Sequence, residues 1–327
     1  MSSNYYDPSE NLNPVVQGEE NKIVNKALSN LPAPHISGLK LRADIKLGDL
    51  TLNTIDSNSV VWVCTDLEGW WNLPDPELPD LPRGWGDGSY DAKGRYAARL
   101  ITLTGSFLTQ DPDQVEAARQ TLFSAIDLVY SGADLIVNES PVVKTTSVRL
   151  SGRPEITTVK ARGRTDFSIG LKAADPIKYE YLYSSGQMGS GETLVDGYRT
   201  KTLSAGGNST FTNAGTFKVP TIIELTGPIN AGATIVNAIN YSDSMVDDIS
   251  ETITLVKAVP NGSTLEIDSL NRDAVLVTGS DVQNARSFIS TLSDWVRLEP
   301  SSKATNTITF TGSGGSCKVY FKSGWIG

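Results

Sequence analysis

The chain has 327 residues, 39% of them hydrophobic and 20% charged, with a formal net charge of −9. That much apolar material builds real cores and excludes a disordered polymer, and the length exceeds one ordinary domain, so two are expected. The acidic balance disfavours nucleic acid and anionic membrane as partners and suits basic protein partners.

Residues 1–38 read as a polar arm. The opening "MSSNYYDPSENLNPVVQGEENK" has no basic-then-apolar signal region. No run in the chain approaches the roughly 18 apolar residues of a membrane span. Synthesis and folding in a cytoplasm are therefore expected. Ile23, Val24, Ala27 and Leu28 share one face of a short helix over 21–31, too small to stand alone. "NLPAPHISG" closes the arm with prolines and a glycine.

Residues 39–175 read as one α+β unit. "SVVWVCTDL" (59–67) is a β-branched and aromatic run, the mark of a buried strand. The prolines and glycines of "EGWWNLPDPELPDLPRGWGDGSYDAKG" (68–94) argue against regular structure. A loop of that length is functional or disordered, and Trp70, Trp71 and Trp85 favour an ordered contact surface. Strand character returns over 94–109. A helix is then predicted over 111–130, with Asp111 as N-cap, Pro112 at the first helical position and Gln114 completing a capping box. Val115, Ala118, Leu122, Ile126 and Val129 form its apolar stripe. Four strands follow, in "ADLIVNE", "VVKTTSVRLSG", "PEITTVKARG" and "TDFSIGLKAADP", with "SGRP" and "RGRTD" as hairpin turns.

From 176 onward short β-rich runs recur between Gly and Asn turns, the pattern of a sandwich or jelly roll. "SDVQNARSFISTL" (280–292) can hold one short helix. Trp295 and Leu298 are expected in the sandwich core, with "NTITF" and "CKVYF" as its last two strands. Tyr179, Tyr181 and Tyr183 alternate along one strand face, which suits core, interface or sugar platform alike.

Little here suggests chemistry. His35, the single histidine, lies between prolines in the arm. With one histidine and two distant cysteines, Cys64 and Cys317, the usual zinc sites are nearly excluded, and the cysteines read as small buried thiols. Asp75, Glu77 and Asp80 form one acidic cluster, and Asp243, Asp247, Asp248 and Glu251 another. Paired carboxylates can serve a glycosidase or hold calcium, but neither cluster has the glycine-centred spacing of a calcium loop. The glycine-rich "SSGQMGSGET" (184–193) and "TGSGGSC" (311–317) lack the lysine and the helix of a phosphate loop, and read as hairpin tips. No catalytic residue, metal or cofactor is assigned, and the profile is that of an interaction protein.

The order of parts resembles the distal tail proteins of long, non-contractile-tailed bacteriophages, often called minor tail proteins in actinobacterial phages. Three stretches carry the likeness: "GRYAARLITLTGSFLTQDPDQVEAARQTLFSAID", "FSIGLKAADPIKYE", and "NAGTFKVPTIIELTG" together with "WVRLEPSSKATNTITFTG". The family usually runs Leu-x-Pro-Gly-x-Asn after the tryptophan. Here Ser301 follows Pro300, and the asparagine is Asn306.

The resemblance implies a mainly β, β-rich α+β chain. Residues 39–175 would be a belt domain, a β-sandwich or split barrel with one helix, similar to tail-tube subunits. Residues 176–327 would be a galectin-like jelly-roll β-sandwich. It implies a homo-hexameric ring at the distal tip of the virion's tail, made in the host bacterial cytoplasm, with a channel for DNA. Its partners would be the tail-tube protein, the hub or fibre protein and, as a further candidate, the tape-measure protein. Trp70, Trp71, Trp85, Asp75, Glu77 and Asp80 are the interface residues this assigns. The alternative is a carbohydrate-binding adhesion module that contacts host surface glycan. A carboxylate glycosidase ranks third.

Overall fold

The computed structural model describes residues 45–327 except 80, 86, 88, 91–92, 110, 160–162 and 185–186. The arm over 1–38, its helix and His35 lie outside the described residues. What is described is mainly β, with one α-helix among the described residues and sheets whose strand pairs run antiparallel.

The first sheet takes the strand order Leu50–Leu52, Ile45–Leu47, Ala133–Asn138, Val143–Leu150, Arg164–Ala173, Arg99–Leu108, Val61–Glu68, Thr54–Ile55. Its two end strands are separated in sequence by Asn53 alone, so the sheet must curl until its edges meet. Asn53, with φ of 59°, makes that corner, and its Oδ1 accepts the N–H of Cys64 at 2.9 Å. The result is a partly closed barrel. Period-two alternation fills it. Strand Arg99–Leu108 turns Ile101, Leu103 and Phe107 inward, and Arg164–Ala173 turns in Phe167, Ile169, Leu171 and Ala173. Gly105 is needed where its strand pairs with Val61–Glu68 and Arg164–Ala173, because a Cβ there would lie 2.4 Å from the Val63 carbonyl oxygen and 2.6 Å from the Phe167 ring.

The helix α1 runs Val115–Ile126 and buries Val115, Ala118, Leu122 and Ile126 on this core. It starts later than the sequence suggests. Asp111 accepts the N–H of Asp113 on Oδ1 and that of Gln114 on its carbonyl, which makes a 3₁₀ turn over Pro112–Gln114 first. Gln114 forms no side-chain cap bond, so the expected capping box is absent. The helix also ends earlier, at Ile126. Val129 therefore leaves the stripe and is exposed, while Leu128 turns inward.

"RGRTD" does join a hairpin, with Val159 opposite Arg164. "SGRP" does not: Val143–Leu150 and Glu155–Val159 each pair with Arg164–Ala173 instead of with each other.

The second core lies between two sheets. One has the order Thr193–Val195, Tyr198–Ser204, Ser316–Phe321, Ile222–Thr226, Ser263–Asp268, Asp273–Thr278, Asp281–Asn284. The other runs Asn208–Phe211, Ala304–Phe310, Thr234–Tyr241, Ile249–Thr254. Leu225, Leu265 and Val319 from the first face Phe211, Ile235 and Phe310 from the second, a sandwich closed by Leu298, with Trp295 packed against it. "NTITF" and "CKVYF" are strands, but of different sheets, so "TGSGGSC" crosses between sheets and is no hairpin tip. The helix considered for 280–292 is an edge strand, Asp281–Asn284, and one 3₁₀ turn, Arg286–Phe288. The strand Lys178–Glu180 pairs with Val143–Leu150 of the first sheet and with Gly324–Trp325 near the chain's end.

Candidate functional site

The described residues of 68–94, read from sequence as an irregular loop, form a two-stranded arm together with Arg95–Tyr96. Pro76–Glu77 pairs with Arg95–Tyr96, and farther out Leu81–Pro82 pairs with Ser89–Tyr90. The N–H of Ala97 donates to the Asp75 carbonyl at 2.8 Å, and Arg95 Nε meets Glu77 Oε2 at 2.6 Å across the ribbon. Two-residue ladders separated by prolines carry no readable period, which is why sequence alone missed them.

Several of the arm's apolar side chains lie outside both described cores. Trp85, at the turn between the outer strands, is 97% exposed; Leu78 and Tyr90 are exposed as well. Arg83 stacks over the Tyr90 ring at 5.8 Å. At the base Tyr96 meets Phe217 edge-on at 5.9 Å, which fixes the arm against the second core's surface.

The root is built quite differently. Gly69 turns the chain out of strand Val61–Glu68 at φ of 80°, and a Cβ there would lie 2.1 Å from the Leu100 carbonyl oxygen. Trp70 is fully buried and donates its indole N–H to Glu139 Oε1 at 2.7 Å. The buried Arg99 guanidinium gathers carbonyls from distant segments. Nη1 donates to Gly69 at 3.0 Å and Asn72 at 2.7 Å, Nε to Pro176 at 3.1 Å, and Nη2 to Ile326. Lys178, also fully buried, donates to the Trp70 carbonyl at 3.0 Å and sits 4.9 Å from the Trp70 ring centroid. Lys144 pairs with Glu139 and lies over the Trp325 ring.

Two lysines, Lys144 and Lys178, thus share one carboxylate, Glu139, whose charge also reaches Arg99. Burial pushes the Lys178 ammonium down to about 8; Glu139 opposes that shift, while Lys144 and Arg99 add to it. Burial also lowers the Arg99 pKa. This is a rigid mount, and it holds the arm's exit angle.

The assigned interface residues therefore separate. Trp70 belongs to the interior and offers no surface, a correction that follows from its complete burial. Trp71 is partly exposed, 5.9 Å from Lys178 Nζ, and Trp85 is free of its own chain's core. Asp75 and Glu77 lie exposed on the arm's inner rungs, and Asp80 lies outside the described residues. Arg99, Lys178 and Glu139 were missed. Their signal is phase: Arg99 stands in register with Ile101 and Leu103 on the buried face of its strand.

The second acidic cluster does not converge. Asp243 accepts the N–H of Met245, Asp248 that of Tyr241, and Glu251 pairs with Lys218 at 3.0 Å. Among the described residues no three His, Cys, Asp or Glu side chains gather as for a metal ion. Cys64 and Cys317 are both free and buried.

No protein-family model matches the chain, and no curated protein matches it. Solved structures do. The chain folds like the SPP1 Dit (gp 19.1) protein, described as a paradigm of the hub adsorption apparatus in Gram-positive infecting phages. The match has a TM-score of 0.55 and 13% identity, over 86% of this chain and 98% of that one. The phage P2 baseplate in its activated conformation with Ca matches at a TM-score of 0.41 and 10% identity, over 82% of this chain and 92% of that one. The phage p2 baseplate in its activated conformation with Sr matches at 0.41 and 10%, over 86% and 98%.

Proposed function

We propose that this chain is a structural subunit of a phage tail tip, a ring that joins the tail tube to the hub or fibre protein around a channel for DNA. The observation that carries the reading is the fold match to SPP1 Dit, which runs over 86% of this chain and 98% of that one. The working division is an arm over 1–38, a belt over 39–175 and an outer galectin-like sandwich over 176–327; the two separate cores support it.

The arm suits ring closure. A heterologous interface repeats head to tail, and a rotation that closes yields a ring. A ribbon held at a fixed angle by a buried root, with a bare tryptophan at its turn, is built to reach a neighbouring copy, since aromatic anchors dominate interface energies. Trp71, Trp85, Asp75, Glu77 and Asp80 are the contact residues of this reading, and six copies its stoichiometry. The chain acts through shape and transforms no substrate.

The test is electron microscopy and light scattering of the full chain, alone and with tail-tube protein. Rings of six, or tube ends capped by the protein, are expected. A monomer at high concentration that ignores the tube would overturn the proposal.

A further inference from the structure

A cleft of about 220 Å³ opens where strand Lys178–Glu180 approaches the second core. Tyr179, Tyr198, Asp268, Asn271 and Lys322 supply its polar atoms, while Pro220, Ile222 and Leu270 supply apolar wall. Tyr179 is locked in place by donating its hydroxyl to Asp175 Oδ2 at 2.7 Å.

Three polar groups of the cleft lack partners among the described residues. Lys322 is half-buried. Its ammonium lies 4.2 Å from the Tyr198 ring centroid, and no oxygen accepts from it. The Tyr198 hydroxyl has no hydrogen-bond partner, and neither has the side-chain carbonyl of Asn271. Burial lowers the Lys322 pKa, with the charges of Asp134 and Glu180 opposing the shift. Asp268 is fixed by its own turn. Its Oδ1 accepts the N–H groups of Leu270 and Asn271, and Oδ2 accepts Asn271 Nδ2 at 2.6 Å. Oδ1 has used both of its lone-pair sites, and Oδ2 keeps acceptor capacity after its one bond.

We propose that this cleft binds one neutral, hydroxyl-rich ring, a single saccharide unit. Free donors (Lys322, Tyr198) stand beside free acceptors (Asn271, Asp268), and hydroxyl groups are both at once. A phosphate would bring its negative charge against the Asp268 carboxylate; an ammonium ligand would meet Lys322. The apolar wall and tyrosine rings suit the C–H face of a sugar. The volume lies below the roughly 300–1,000 Å³ of drug-sized pockets, so it admits one ring and no chain. The site needs no ring assembly and stands apart from the tail-tip reading.

Saturation-transfer NMR on the full chain tests this, with glucose, galactose, N-acetylglucosamine, inorganic phosphate and oligosaccharides released from bacterial cell wall as probes. Saturable millimolar binding of at least one neutral sugar is expected, with none for phosphate. Lys322→Met and Asn271→Ala should each weaken it about tenfold or more. Asn271 is exposed on a turn, so its variant keeps the measurement valid if Lys322→Met fails to fold. Tighter binding of the oligosaccharides would assign the unit to a surface glycan, and equal binding to a free sugar. Phosphate binding without sugar, no binding at tens of millimolar, or binding unchanged in both variants would overturn the proposal.

Discussion

Arg99 Nη2 donates to the carbonyl of Ile326, 227 positions farther along the chain. The same guanidinium holds Gly69 and Asn72 at the arm's root and Pro176 beside the strand Lys178–Glu180. Arg99→Met would leave these carbonyls buried without donors. A loss of roughly 3–5 kcal/mol is expected in urea unfolding, the usual cost of breaking a buried, hydrogen-bonded charge. A loss below about 1 kcal/mol would show that water reaches the carbonyls.

The tryptophans divide in the same experiment. Trp70→Ala empties a buried site and strips Glu139 of a donor, so about 3–5 kcal/mol should go. Trp85→Ala touches no core and should change stability by less than about 0.5 kcal/mol. On the ring reading, Trp85→Ala raises the concentration needed for assembly about tenfold or more, measured by sedimentation. Equal assembly by wild type and variant would remove Trp85 from the interface.

Lys178 makes stability depend on pH. Its folded value of about 8 lies below its ordinary 10.5. Between the two the unfolded chain holds a proton that the folded chain has released, so unfolding takes one up and stability rises with pH. Cys64 and Cys317, pushed up to about 12 by burial, act in the opposite sense above their ordinary 9.0. The clean quantity is therefore wild type minus Lys178→Met. That difference should be flat below about pH 8 and then climb by no more than about 1.4 kcal/mol per pH unit. A flat difference throughout would mean that Glu139 keeps Lys178 charged.

The two thiols should be inert in the folded protein. Both are buried, and reaction needs an exposed thiolate. A thiol-reactive dye at mildly alkaline pH should label neither residue until denaturant unfolds the chain, then both. Fast labelling of one cysteine in native conditions would reveal local opening around it.

Much of the fold was legible because alternation is a direct image of a half-buried strand. Val61–Glu68, Arg99–Leu108 and Ala304–Phe310 fall close to their expected places, and the helical stripe is right from Val115 to Ile126. Boundaries were not legible. Asp111 can start a 3₁₀ turn as readily as an α-helix, and only tertiary packing decides where Leu128 or Val129 points. The site was half legible. Composition singles out 68–94 as largely exposed, tryptophan-bearing chain, but its prolines hide the pairing. In a two-stranded ribbon a proline is tolerated wherever its missing N–H would face outward, as Pro76 and Pro82 show. The root was invisible because a lone arginine or lysine in a strand usually faces water. Asn306 is a kinder case. Although displaced from the family's pattern, it is fully buried and bonds both backbone groups of Glu299.

The strand Gly324–Trp325 and the Ile326 carbonyl complete a mount whose arginine lies 227 residues upstream. On the ribosome, the first barrel emerges long before the segment that satisfies its arginine. A nascent chain stopped in the second sandwich would carry an arm on a loosened mount. A chain lacking residues 324–327 should therefore loosen that mount much as Arg99→Met does.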